Sequence, residues 1–261
     1  MKDGTLTTYT SVFGDFESVW PPFRQPPGIN HLLISDARRP RRGWEQNFVS
    51  PSSFTSSRLA NRHQKMVFYK TLPGDGYSAY IDANVRPVQS LADLFDAFVT
   101  SGKDMGMYRH YSRASVHEES KACIARGKVD DPQRMRDELT FYESEGFPDS
   151  DGMWEGSVIF KNHSSPRLGP AMNEWWDPYS RFQTRDQFSL PFVIWKHELS
   201  VFDLDSHSRG REHYFVRLQH SQAGVRNRMA RYVQARAPEH RFWEGAQALA
   251  RRLSGDYGAN E

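Results

Sequence analysis

Asp82 and Asn84 stand two residues apart at the end of the run Tyr77, Ala79, Tyr80 and Ile81. If that apolar, aromatic run is a buried strand, residues two apart point to the same face. A carboxylate and a carboxamide aimed at one spot offer oxygen ligands for a hard cation such as Mg2+ or Mn2+. Such an ion can bridge phosphate oxygens and stabilise a departing diphosphate. The plainer alternative is that Asp82 caps a turn and Asn84 takes a left-handed backbone, roles these residue types often fill. Spacing alone leaves both open.

The elements that must carry these residues follow from pattern. Stretches 6–14, 31–36, 44–49, 77–85, 104–110 and 154–162 are rich in β-branched and aromatic residues and read as strands. Helices are expected over 50–68, 90–102, 115–127, 131–146, 168–182 and 184–196. Leu91, Leu94, Phe95 and Phe98 follow helical spacing with Gly102 beyond them. Ser115 with Glu118 makes a capping box, and Asp131 before Pro132 makes another helix start. The proline-rich stretch 20–28 lacks amide donors for a helix or central strand and reads as a loop lying over a surface. Alternating strands and helices predict an α/β fold with a mainly parallel, three-layer sheet and ligands at its carboxyl edge.

The bulk composition narrows the partners. The 261 residues carry a formal net charge of +2, too small by itself to indicate nucleic-acid binding, so none is expected. The lone Cys123 permits no intrachain disulfide and fits a reducing compartment, with the thiol read as a small buried apolar group. No window approaches the length of an apolar membrane span and residues 1–10 lack a secretory layout, so a cytoplasmic protein is expected. From His207 onward the chain is dense in arginine, and two amphipathic helices are expected there, around Val225–Val233 and Phe242–Leu253. They would pack on the domain or lie on an anionic membrane face.

Several segments together carry a family resemblance: "SRLANRHQKMVF", "YSAYIDANV", "HYSRASVHEES", "YESEGFP", "WEGSVIFKNHSSP", "EWW" and "SRFQTRDQFSLPFVIWK". From about Ser57 to Lys196 the chain resembles the TOD/MUCI-type glycosyltransferase-like domain, which is similar in pattern to nucleotide-sugar transferases of the GT-A superfamily. The resemblance implies a GT-A-type, Rossmann-like α/β/α sandwich over residues 1–205, with an Arg-rich helical extension over 206–261. It implies a hexosyltransferase of polysaccharide biosynthesis that uses a nucleotide sugar, a UDP-sugar by preference, and a glycan or glycolipid hydroxyl acceptor, with retention of configuration. A metal-assisted amide hydrolase of ceramidase type and a non-catalytic sugar-binding module stay open as alternatives.

Site roles follow from the same resemblance. Asp82 and Asn84 stand where an Asp-x-Asp motif would be, with His220 as a third ligand to Mn2+ or Mg2+; the amide at 84 offers an oxygen but no charge. Thr10 and Phe13 fall on the strand that meets the nucleotide, and Asp36 would accept bonds from ribose or base. Arg58 and Arg62, one helical turn apart, would hold base or diphosphate, guanidinium being suited to phosphate; a solvated helix face is their alternative. Arg185 would face the diphosphate, and His110 with Arg113, Glu118 and Glu119 would line the cleft. Asp186 and Gln187 would flank the anomeric carbon, and Glu155 would touch sugar hydroxyls. A general base at Asp186 would instead imply inversion. Trp175 and Trp176 read as packing residues.

Overall fold

The computed structural model describes residues 5–14, 17–38, 41–72, 76–149, 152–208 and 213–218, with residues 220, 229, 232, 233 and 235. The second helix expected in the Arg-rich tail, and most of the first, lie outside the described residues. Nine strands occur among them: β1 (Leu6–Val12), β2 (Ile29–Ser35), β3 (Glu45–Phe48), β4 (Tyr77–Ile81), β5 (Val85–Pro87), β6 (Met105–Arg109), β7 (Trp154–Asn162), β8 (Val201–Asp203) and β9 (Phe215–Arg217). Seven of them form one sheet in the order β3-β2-β1-β4-β7-β6-β8, and β5 pairs with β9 in a small second sheet. Within the large sheet β7 runs antiparallel to β4 and to β6, and the other pairings are parallel. The mainly parallel α/β architecture expected from the sequence is the one found.

Side-chain alternation assigns the two faces. Tyr9, Tyr80, Met105, Met107 and Ile159 point into a core roofed by α1 (Ser57–Val67), α3 (Val116–Ala125), α4 (Pro132–Ser144), α5 (Leu168–Phe182) and α6 (Asp186–Lys196). Ala79, Ile81, Val158 and Phe160 point the other way, onto α2 (Ala92–Ser101) and α7 (Leu204–Ser208). Trp175, fully buried in the larger core, donates its indole N–H to the Asp186 carbonyl at 2.9 Å, tying α5 to the start of α6. Side chains cap three helices: the Ser56 Oγ accepts from Leu59 N–H at 3.2 Å, Ser115 from Glu118 at 3.1 Å and Asp131 from Gln133 at 2.8 Å. Each satisfies an amide that the first helical turn leaves without a partner.

Two differences from the sequence reading bear on the site. The stretch 50–68 is not one helix: a 3-10 turn at Pro51–Ser53 precedes α1, which begins only where Ser56 caps it. The stretch 77–85 is not one strand either. A turn closed by Val85 N–H on the Asp82 carbonyl (2.8 Å) ends β4 and sends β5 into the second sheet.

The proline-rich loop does lie over a surface. It covers the β1–β2 region on the face that α2 shares, through Trp44 Nε1 donating to Trp20 O (2.9 Å), Arg86 Nε to Pro21 O (3.2 Å) and Gln25 Nε2 to Gln89 O (3.0 Å). The Gln25 side-chain oxygen also accepts from Leu91 N–H at the start of α2, at 2.8 Å.

Candidate active site

Three elements converge at the carboxyl edge of the sheet. β4 ends in Asp82, the second half of α1 presents Arg62 and Lys65 three residues apart on one face, and α6 opens on Asp186. Lys65 Nζ forms a close ion pair with Asp186 Oδ2 and stands 3.7 Å from Asp82 Oδ1. Arg62 Nε lies 3.1 Å from Asp186 Oδ1. As the first residue of α6, the Asp186 carboxylate also meets the positive end of the helix.

The glycine opposite makes room for this arrangement. A Cβ on Gly156 of β7 would lie 3.1 Å from Lys65 Nζ and 3.6 Å from Asp186 Oδ2. Beneath the cluster, Lys161 Nζ donates to the Lys65 carbonyl at 2.6 Å and to the Tyr9 hydroxyl at 2.7 Å, while Tyr9 donates to the same carbonyl at 3.1 Å.

Electrostatics follow from burial against pairing. Burial alone would raise the Asp186 carboxyl, but Arg62, Lys65 and Arg185 overcome it and hold the group well below the usual carboxylate range. Burial would lower the Arg62 guanidinium, yet Asp186 and Asp82 raise it further above its ordinary value. Lys161 has no carboxylate partner among the described residues, and burial and then Lys65 push its amine far down. Arg62 and Lys65 thus act on both carboxylates, Asp82 and Asp186, and Arg185 adds a third positive charge near Asp186. The Nε of Arg185 is buried without a hydrogen-bond partner among the described residues.

A further layer supports the turn before α6. Arg58 donates to the Thr184 carbonyl and lies 3.2 Å from Asp130. The Thr184 hydroxyl donates to Glu138 of α4, which also accepts from the Tyr142 hydroxyl. Glu138 is fully buried, and burial pushes its carboxyl up to about 7 in spite of those two donors.

Of the residues expected at the site, Asp82, Arg62, Arg185 and Asp186 come together, with Arg58 on their flank and Gln187 next in α6. Others do not. Glu155 of β7 reaches Arg217 (3.4 Å) and not Lys65, because its neighbour Gly156 faces the cluster and side chains alternate along the strand. Phe13 is buried in the α1-side core. Asp36 closes the ends of β1 and β2 by accepting from Gly14 N–H at 2.8 Å. The His110 ring accepts from the amides of Ser112 (3.2 Å) and Arg113 (3.0 Å) and so organises a turn. Arg113 pairs with Glu119 (3.6 Å), and Glu118 accepts from Ala114 N–H (2.8 Å). Cys123 is buried and donates to Glu119, as a small structural thiol would.

Thr10 lies on the opposite face of β1, in a pocket that Trp20, His31 and Trp44 line and Asp82 rims. Its hydroxyl and the His31 Nε2 have no hydrogen-bond partner among the described residues, although Thr10 is only 1% exposed.

The ligand set Asp82, Asn84 and His220 does not assemble. The turn after β4 breaks the two-residue alternation, so the Asn84 amide donates to the Leu218 carbonyl (3.4 Å) while Asp82 faces Lys65. His220 pairs with Glu17 at 2.8 Å. Among the described residues no group of three or more His, Cys, Asp or Glu is placed to hold a metal ion. The place beside Asp82 that the motif implied for a divalent ion is taken by the Lys65 ammonium, 3.7 Å from its carboxylate, so the residues present do not fit that ion.

Lys65 is the site residue the sequence reading missed. It continues the Arg58 and Arg62 stripe by three residues, but spacing alone does not say that its ammonium is buried.

The site is thus a cation-rich carboxylate cluster at the carboxyl edge of an α/β sheet. The profile of the family "TOD1/MUCI70, glycosyltransferase-like domain" matches residues 35–219, well over half of the chain, and the chain belongs to that family. None of the curated proteins matches it in sequence. Similar solved structures include apo mouse xyloside xylosyltransferase 1, at 11% identity and TM-score 0.43, with 77% of this chain and 84% of that one covered. Another is the apo WbbM bifunctional glycosyltransferase, at 10% identity and TM-score 0.42, with 77% of this chain and 39% of that one covered.

Proposed function

We propose that this protein is a hexosyltransferase that moves a sugar from a nucleotide sugar, a UDP-sugar in the first instance, to a hydroxyl of a glycan or glycolipid. The observation that carries this reading is the charge arrangement around Asp186: an ionised carboxylate held by Lys65 and Arg62, with positive charge left over for a diphosphate. Arg62, Arg185 and Arg58 would meet the phosphate oxygens, guanidinium offering paired donors in phosphate geometry.

In the reaction, the bond from the anomeric carbon to the diphosphate oxygen breaks and its electron pair leaves with the nucleoside diphosphate. The acceptor oxygen bonds to the same carbon, and the acceptor proton ends on the departing diphosphate. A carboxyl held so far below its usual range is a weak proton acceptor, since good general bases titrate near the working pH. Asp186 is therefore better suited to accept hydrogen bonds from sugar hydroxyls and to stabilise the cationic transition state than to deprotonate the acceptor. That assignment favours the retaining course over the inverting one.

The test is mass spectrometry of hydrolysis and transfer products over a panel of nucleotide sugars. Slow release of nucleoside diphosphate from one donor, abolished by Asp186→Asn, is the expected result. No release from any donor, together with cleavage of an amide lipid, would instead support the hydrolase alternative. Among the described residues no helix is long and apolar enough to cross a membrane.

A further inference from the structure

The two carboxylates of the site lack an assembled metal shell, yet a cation already stands between them. Lys65 Nζ pairs with Asp186 Oδ2 and lies 3.7 Å from Asp82 Oδ1, and the residue is only 1% exposed. Three features fix it there. Its carbonyl accepts from Lys161 Nζ at 2.6 Å and from the Tyr9 hydroxyl at 3.1 Å, which pins the last turn of α1 from below. Gly156 leaves open the space that a Cβ would take 3.1 Å from the ammonium. The Tyr80 ring lies 5.2 Å from Nζ and adds a favourable face for a cation.

Burying a lysine is costly unless it is paired, so this placement is one the fold maintains against desolvation. A divalent ion on Asp82 would have to settle beside a fixed ammonium, and like charges at that range repel. The Asn84 amide nitrogen donates to the Leu218 carbonyl and His220 Nδ1 pairs with Glu17, so both side chains are held by partners of their own.

We propose that Lys65 takes the place of a divalent cation in this transferase. It bridges Asp82 and Asp186 as a positioning residue, and the nucleoside diphosphate is bound and released against Arg62, Arg185 and Arg58 with no metal ion. The inference rests on the nucleotide-sugar reading above and specifies how the donor's charge is met.

Calorimetric titration of the full chain with UDP and with GDP, in excess EDTA and in millimolar MnCl2, tests it. The expected result is one dissociation constant for the preferred nucleotide, equal within about twofold in the two conditions. A constant about tenfold or more tighter with Mn2+ would overturn the inference and leave the transferase reading standing. Failure of both nucleotides in both conditions would remove the nucleotide-sugar reading and this inference with it.

A second measurement separates bridging from simple packing. Lys65→Met should weaken nucleotide binding by at least about tenfold and should gain Mn2+ uptake by the two bared carboxylates, seen by electron paramagnetic resonance; a packing role would create no such uptake. A folded Lys65→Met that keeps wild-type affinity and takes up no Mn2+ overturns the inference. If that variant does not fold, the wild-type comparison in EDTA and MnCl2 decides alone.

Discussion

Replacing Glu138 by glutamine should stabilise the protein at alkaline pH and leave it little changed near pH 5. The fully buried carboxyl is raised from its ordinary 4.5 to about 7, because burial outweighs the hydrogen bonds from Thr184 and Tyr142. The unfolded chain releases this proton near 4.5, whereas the folded protein keeps it until about 7. Between those values the folded state binds more protons, so stability falls as pH rises and then levels off. The interval corresponds to about 3 kcal/mol carried as a cost above pH 7. Glutamine mimics the protonated acid and removes that cost. It also sets an amide where one oxygen accepted, a loss of about 1 kcal/mol that is the same at every pH. Urea denaturation of both proteins at pH 5 and pH 8 isolates the ionisation: the variant's advantage should grow by about 2 to 3 kcal/mol between the two. An advantage that does not change with pH would refute the reasoning, because the two hydrogen bonds would then outweigh desolvation and the carboxyl would be ionised throughout.

Asp186→Ala should abolish turnover and also lower the melting temperature, since it strands two largely desolvated cations, Lys65 and Arg62; breaking such a buried pair costs about 3 to 5 kcal/mol. Asp82→Ala, whose carboxylate is partly exposed, should reduce nucleotide affinity with a melting temperature close to wild type; equal thermal losses in the two variants would contradict the burial difference. Gly156→Ala should weaken nucleotide binding, because its methyl group would press on Lys65 Nζ at 3.1 Å, and titration calorimetry would show it. His117 is raised by its hydrogen bond to Asp149 and then by Glu143, so the stability it adds is present below the unfolded histidine range and is lost as pH rises through the raised folded value. His117→Ala should therefore cost stability at pH 5 and little at pH 9 in thermal melts.

Most of the scaffold was legible because each element carries its own signature. Ser115 with Glu118 and Asp131 with Pro132 marked helix starts that the structure places within a residue. The proline-rich loop was recognisable from its missing donors. Strand direction was not: nothing in the alternation of β7 distinguishes antiparallel from parallel, since both present side chains with period two. Asp82, Arg62, Arg185 and Asp186, named from type, spacing and resemblance, do lie together at the sheet edge. Spacing left Asp82 and Asn84 open between one strand face and a turn, and the hydrogen bond from Val85 N–H to the Asp82 carbonyl makes it a turn. Lys65 escaped because lysine in an amphipathic helix ordinarily reaches water. Only the tertiary meeting of α1, β4, β7 and α6 reveals that this one does not.

The proline-rich cover over β1 and β2 contributes no strand to the sheet and hangs from a few bonds made by Trp20, Pro21 and Gln25. Whatever shape it gives to the cavity bounded by Trp20 and Trp44 can be rewritten by exchanging that one segment, while every sheet ladder and the Lys65 bridge stay intact. The shape of that cavity and the endurance of the fold are thereby lodged in separable stretches of the polypeptide, so a graft of the cover alone would alter the one without the other.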